Sequence, residues 1–362
     1  MQESKNENTD TDFLQDKIDD QDVIPAPSQI KKEAVVHLKQ KKVIGHEART
    51  NRYGYFFVAP FVIVFAVFNL WPTMNTITLG FSDIIGFNTT FNFVGLANFQ
   101  RLINDPFFWG ALGNTFIIWG LNFTPQLGLA LILAIWLSDT RLNLAGKGLF
   151  RAVIYMPNLL TAASVALLFR ALFGWGSHVN APANQFLRLF EIYYNNVSQG
   201  IPQDAFNFFR SVPFSRSLVA FIQWWMWYGH TLILLMAGIT SIPTSIYESA
   251  VIDGANSRQT SWYITLPLLR PMMLYILVTS MIGGMQMFDI PFMLTDSRGN
   301  PASSIRTTVV YQYNIAFGGR FDYAYGSAVS MGIFIVTIVL ALLIFFFLQD
   351  RSEIKKRKGG KL

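Results

Sequence analysis

Gln223, Trp227 and His230, with Met226 alongside, interrupt the fourth long apolar run of this chain. Spaced four and three residues apart, the first three fall on one face of a helix. The fifth run carries Ser280, Gly283, Gly284, Gln286 and Met287. Polar groups inside such runs must pair with one another or face a wet cavity. Amide, imidazole and hydroxyl groups beside an indole face are the chemistry that holds a sugar. They bond its hydroxyls, and the aromatic plane packs on its apolar ring face. The same residue types also serve helix packing, since glycine pairs permit close approach and Gln or His can bond across helices. Both readings stay open at this point. Asn114, Asn122, Pro125 and Gln126 of the second run read as interhelical bonding or a kink.

Other chemistries lack their residues. Ala145-Gly146-Lys147-Gly148 has neither the upstream glycine nor the hydroxyl of a phosphate-binding loop. His37, His46, His178 and His230 have no zinc-type spacing, and no cysteine is present to ligate metal or form a disulfide. No acid–base pair inside an apolar run suggests a proton relay.

The elements that must position these residues are membrane spans. Residues are 52% hydrophobic and only 14% charged, well below the quarter usual in soluble domains. Six apolar runs predict spans at about 54–77, 108–137, 150–172, 217–241, 269–289 and 325–349, an all-α polytopic architecture. Lys and Arg concentrate in residues 1–52, in the Arg141/Lys147/Arg151 connection and in the basic tail 350–362. That bias puts both termini and residues 242–270 in the cytoplasm. The net charge of +6 is thus accounted for by topology and gives no reason to expect nucleic acid. Residues 1–52 read as a disordered cytoplasmic tail without a cleavable leader. The 173–216 connection, with Trp175, Tyr193 and Tyr194, is longer than a bare turn and reads as filler or as a contact for a partner or carbohydrate.

Between the fourth and fifth runs lies a polar stretch, Ile242 to Pro271, holding Glu248, Asp253, Arg258 and Arg270. Pro243 suits the first turn of a helix. Ile246, Tyr247, Ala250 and Val251 recur at threes and fours, so that helix can bury one face. Asp253-Gly254 is a turn with a cheap positive φ. Asn256 or Ser257 can cap a second short helix, which Pro267 should stop. A helix–turn–helix of this size is a rigid knob for docking.

These residues carry a resemblance. Glu248, Ser249, Ala250, Gly254, Ile264, Leu266 and Pro267 are similar to the E-A-A-x-x-x-G…I-x-L-P loop of the permease subunits of ATP-binding-cassette importers. Asp253, Ala255, Trp262 and Pro271 add the maltose-type, sugar-uptake flavour. Gly95-Leu96-Ala97-Asn98-Phe99, Asn114-Thr115, Arg151 with Tyr155-Met156-Pro157, Leu294-Thr295 and Tyr325-Gly326-Ser327-Ala328 resemble further signatures of that family; its Gly-Gly-Pro is replaced by residues 296–301. The resemblance implies a type I importer permease fold over 53–349 and a non-enzymatic subunit in a bacterial cytoplasmic membrane. It implies a coupling loop at 242–267, with Glu248, Ser249, Ala250, Asp253, Gly254, Ala255 and Pro267 engaging an ATPase. Counting from that loop, it places Gln223, Met226, Trp227, His230, Ser280, Gly283, Gly284 and Met287 on the sugar. Implied partners are a second, homologous permease, two ATPase copies that bind ATP-Mg, an extracytoplasmic solute-binding protein and a carbohydrate, with no cofactor on this chain. The alternatives are a permease of the same architecture for another solute and a membrane interaction or signalling protein without cargo.

Overall fold

The computed structural model describes residues 54–87, 90–138, 146–174, 181–189, 208–295 and 299–348. The expectations for the two tails, for Trp175, Tyr193 and Tyr194, and for the turn at 296–298 lie outside these residues. Regular structure among them is helical, with one isolated bridge between Ser82 and Phe93. Among the described residues, those up to Met74 form one compact unit and those from Asn75 a second. Helix α1, Gly54–Gly80, carries a π turn at Ala66–Leu70, and in the first unit its Phe56, Phe57, Phe61 and Phe68 are exposed. Only hydrocarbon or another apolar protein surface suits such a face.

In the second unit a short helix α2, Ala97–Ile103, precedes α3, Pro106–Ser138. Asp105 starts α3 by accepting from the Phe107 amide at 2.9 Å, and Pro106 costs nothing in the first turn. Next come α4, Lys147–Tyr155, and α5, Ala162–Phe173, joined by a 3₁₀ turn at Met156–Leu159. The stretch expected as the third span, 150–172, is bent, because α4 and α5 meet at 84°. Pro157 lacks a donor, Leu160 turns extended, and Thr161 caps a fresh helix by accepting from the Ser164 amide. The turn lies against α6, Val212–Thr240, where a Cβ on Gly229 would collide with the Ile154 carbonyl oxygen. Asn158 donates to the Met226 carbonyl at 3.3 Å in the same contact.

The chain continues through α7, Thr244–Ile252, into α8, Arg270–Met285, and α9, Asp289–Leu294. It ends in α10, Thr308–Phe317, and α11, Tyr323–Leu348. Helices α3 and α6 share most of the core. Phe123, Ala130 and Ala134 of α3 pack with Leu232, Leu235 and Ile239 of α6, and with Leu269 and Ile276. The Leu269 and Met272 side chains close on Gly238 at the base of the α6–α8 pair. The Asn98 and Asn114-Thr115 signatures act as ties. Asn98 donates to the Ser82 carbonyl at 2.7 Å. Asn114 donates to the Ser303 carbonyl at 2.8 Å and accepts from Arg216 at 2.7 Å, so it binds a loop as well as a helix.

A second polar cluster joins the start of α3 to α10 and α11. The hydroxyls of Tyr311 and Tyr325 both donate to the Asp105 carboxylate, and Arg101 pairs with Asp322 at 2.9 Å. Burial pushes the Asp105 carboxyl up, but the two tyrosine hydroxyls and the Phe107 and Phe108 amides outweigh it and hold it below 3.8. Tyr311 is pushed up to about 12 by burial and by the carboxylate. A depressed carboxyl stabilises the fold fully above its unfolded value and loses that contribution as pH falls through the folded one. Asp105→Asn is therefore expected to melt several degrees below wild type at pH 7. The gap should narrow below pH 3.8, as thermal unfolding in detergent at both pH values would show.

Candidate functional site

A cavity of about 290 Å³ lies between α6 and α8, bounded also by α3 and the start of α9. Gln223, Trp227, His230, Ser280, Gly283, Gly284 and Met287 line it. Met226 does not. One residue from Trp227, it points about 100° round the helix into the core with Val165, Ile222 and Ile290, and is 4% exposed.

The lining combines bonded and open groups. Trp227 is 46% exposed and meets the His230 ring edge-on at 5.8 Å. Gln126 donates to the Thr231 hydroxyl at 2.7 Å, which fixes α3 against α6, as its type and position suggest. Trp119 donates to Ser280 at 3.2 Å, and its indole lies where a side chain on Gly284 would go. Gly284 thus serves packing, whereas Gly283 faces open space. Asn122 is 7% exposed, lines the cavity, and has no hydrogen-bond partner for its Oδ1 among the described residues. A buried amide oxygen left unbonded costs free energy and is an acceptor site for an incoming hydroxyl.

Asp289 also lines the cavity, adding a carboxylate to the amide, imidazole, hydroxyl and indole groups of the two runs. The apolar run ends at Phe288, and the backbone bends there before α9 brings the next residue back to the wall. Thr231 and Thr279 were equally hidden among apolar neighbours. If Trp227 packs on cargo, Trp227→Ala should lower uptake about tenfold, given what an aromatic contact contributes. Basal ATP hydrolysis of the intact complex should not change. Paired uptake and ATPase assays on the same membranes would check this.

The stretch between α6 and α8 forms the expected knob. Pro243 sits just before α7 with ψ 133, one place earlier than the first-turn position expected for it. Gly254 has φ +75. It ends α7 in a Schellman turn: its amide bonds the Val251 carbonyl at 3.0 Å, and the Ala255 amide bonds Ala250 at 2.9 Å. Asn256 and Gln259 form a reciprocal capping box, each side chain accepting from the other's amide at 2.9 Å. Pro267 does not stop the second arm. A π turn at Thr260–Thr265 shifts the hydrogen bonding and carries the helix to Leu268, and the break comes at Leu269. Tyr247 and Thr265 hydroxyls meet at 3.3 Å and tie the arms together.

The knob's outer surface is mixed. Ala250 is buried, while Glu248, Ser249, Asp253 and Gly254 are exposed and Ala255 is half-buried. The apolar face expected to be buried is only partly so. Val251 is exposed, and Ile252 beside it is 85% exposed. A carboxylate beside bare aliphatic side chains suits a protein partner better than water.

Comparison with known proteins follows the same lines. The family model described as "Binding-protein-dependent transport system inner membrane component" matches residues 126–357. The lactose transport system permease protein LacF of Rhizobium radiobacter is 32% identical over 299 residues, covering 83% of this chain and 95% of its own. The arabinooligosaccharides transport system permease protein AraP of Bacillus subtilis is 31% identical, over 80% of this chain and 86% of its own. A chain of a bacterial ABC transporter for import of the acidic polysaccharide alginate superposes with a TM-score of 0.68. It is 20% identical and covers 84% of this chain and 98% of its own, a likeness of fold.

Proposed function

The chain belongs to the binding-protein-dependent transport system inner membrane components, and from that premise we propose that its α6–α8 cavity is half of the path for a sugar or oligosaccharide. A separate ATPase drives alternating access, and an extracytoplasmic binding protein delivers the cargo. The cavity lining carries this reading. Trp227 offers a stacking plane, and Gln223, His230, Asn122 and Ser280 offer hydrogen-bonding groups. Among the described residues no lysine or arginine lines it, so an anionic cargo would meet Asp289 unopposed there, and a neutral saccharide fits better than an acidic one.

Glu248, Asp253 and the exposed Val251–Ile252 pair are the contact for the ATPase, with Gly254 and Ala255 setting their aim. ATP-Mg binds there, on the partner, and this chain carries no catalytic group. One chain supplies one knob, whereas an engine with two ATPase copies takes two. The second comes from a homologous permease in the same bacterial cytoplasmic membrane. Affinity purification of the tagged chain from its native host should recover that permease and the ATPase, and the cells should take up saccharide only when the binding protein is present. Recovery of two copies of this chain with no other membrane subunit would exclude the heterodimer. Uptake without the binding protein would exclude the importer reading.

A further inference from the structure

A row of aromatic rings begins at the cavity and leaves it. Phe288 lines the cavity and stacks on Phe292 one turn along α9, with ring centres 4.7 Å apart. Both rings meet Tyr313 of α10, at 5.2 and 5.1 Å. Tyr313 meets Phe317 at 5.2 Å, and Phe317 meets Tyr323, at the start of α11, at 5.9 Å.

Burial and hydrogen bonding separate this row from ordinary core. Phe317 is 52% exposed, and Phe288, Phe292, Tyr313 and Tyr323 are half-buried. Neither tyrosine hydroxyl has a hydrogen-bond partner among the described residues, although Tyr311 and Tyr325 nearby in sequence are fully engaged by Asp105. The row therefore combines partly exposed rings with two open hydroxyls. That is the surface which binds a sugar's apolar face and its hydroxyl edge at once.

Size supplies the occupant. A cavity of about 290 Å³ is at the lower end for small-molecule sites, so a cargo of several sugar units must project from it. Phe288, Phe292 and Tyr313 form one cluster at the cavity wall, and the steps from it to Phe317 and on to Tyr323, 5.2 and 5.9 Å, are close to the length of one sugar unit. We propose that Phe288, Phe292, Tyr313, Phe317 and Tyr323 form an outer saccharide track, which holds the trailing units of an oligosaccharide whose leading unit occupies the cavity. This rests on the sugar-importer reading and adds the chain length of the cargo. A shorter sugar would use the cavity alone. A longer one gains contacts at the Phe288–Phe292–Tyr313 cluster, then at Phe317 and then at Tyr323.

The test uses cells expressing the whole importer, fed hydrolysates of arabinan, galactan and starch sorted from mono- to pentasaccharide, with depletion followed by mass spectrometry. The variants are Tyr313→Leu and Phe317→Leu, with Phe317→Trp restoring a ring. Each loss of a ring should slow uptake of tri- to pentasaccharides about fivefold, with monosaccharide uptake unchanged and Phe317→Trp near wild type. The second permease should co-purify at wild-type levels throughout. Oligosaccharide uptake unaltered in both leucine variants would overturn the track. So would weaker uptake of every length together with loss of the second permease, which would make the row a subunit interface. Wild-type uptake of monosaccharides alone would overturn the track and leave the sugar reading intact. No wild-type saccharide uptake at all would overturn both.

Discussion

Gly254→Val should leave the importer assembled in the membrane but cut its binding-protein-stimulated ATP hydrolysis at least tenfold. Gly254 sits at φ +75, and a Cβ there would meet nothing within 4 Å, so the whole cost is in the backbone. A left-handed conformation costs a side chain about 1–2 kcal/mol, and more when it is β-branched. The cheapest escape is to abandon that φ, which breaks the Ala255–Ala250 and Gly254–Val251 bonds and unwinds the last turn of α7. Glu248 and Ile252 then lose their common aim. Gly254→Asp should be milder, because aspartate tolerates this region better than valine. Glu248→Ala removes one carboxylate and no backbone constraint. If that carboxylate pairs with a cation of the ATPase, its loss should weaken ATPase attachment several-fold. The measurement is ATPase co-purification and stimulated hydrolysis at matched membrane abundance. Wild-type values for all three variants would reduce the knob to an ordinary connection between spans.

Gly229→Val and Gly283→Val should separate stability from transport. A side chain at Gly229 collides with the backbone carbonyl of Ile154, which cannot rotate away as a side-chain end could. The α4–α5 turn must back off α6, losing the Asn158–Met226 bond and disturbing the helix that carries Trp227 and His230. Overpacking of this kind costs about 1–3 kcal/mol or more. Both the melting temperature in detergent and the membrane abundance should fall, and uptake with them. Gly283 faces open cavity, so the same substitution there should keep the wild-type melting temperature while uptake drops as the space fills. Equal melting temperatures for the two variants would mean that the contact at Gly229 relaxes freely.

What the sequence disclosed follows the range of the signals involved. The knob was readable in outline, because its determinants are local: a proline at the start of a helix, Asp-Gly after it, and Asn256 or Ser257 as a cap for the second arm. Its misreadings were Pro243, off by one place, Val251, exposed where burial was expected, and Pro267, a breaker whose missing donor a π turn absorbs; π turns have no sequence signature of comparable clarity. Spacing put Gln223, Trp227 and His230 on one face of the fourth run, with packing and sugar binding both left open; the fifth-run residues were placed only by counting from the coupling loop, and Met226 lies outside the cavity through one helical step. The bend between α4 and α5 was hidden because an apolar run looks the same whether it is straight or folded back at 84°. The Asp105 cluster had no local signal at all. Its tyrosines lie 206 and 220 residues away, and only the packed helices bring them together.

The knob and the cavity share the same two helices. α6 runs into the knob and α8 runs out of it, and Leu269 and Met272 bear on Gly238 where the two converge. Mechanically this is a pair of tongs: the knob is the grip, the contact at Gly238 the rivet, and the faces bearing Trp227 and Ser280 the jaws. The grip is joined to both jaws by continuous backbone, and the rivet lies between them along each helix.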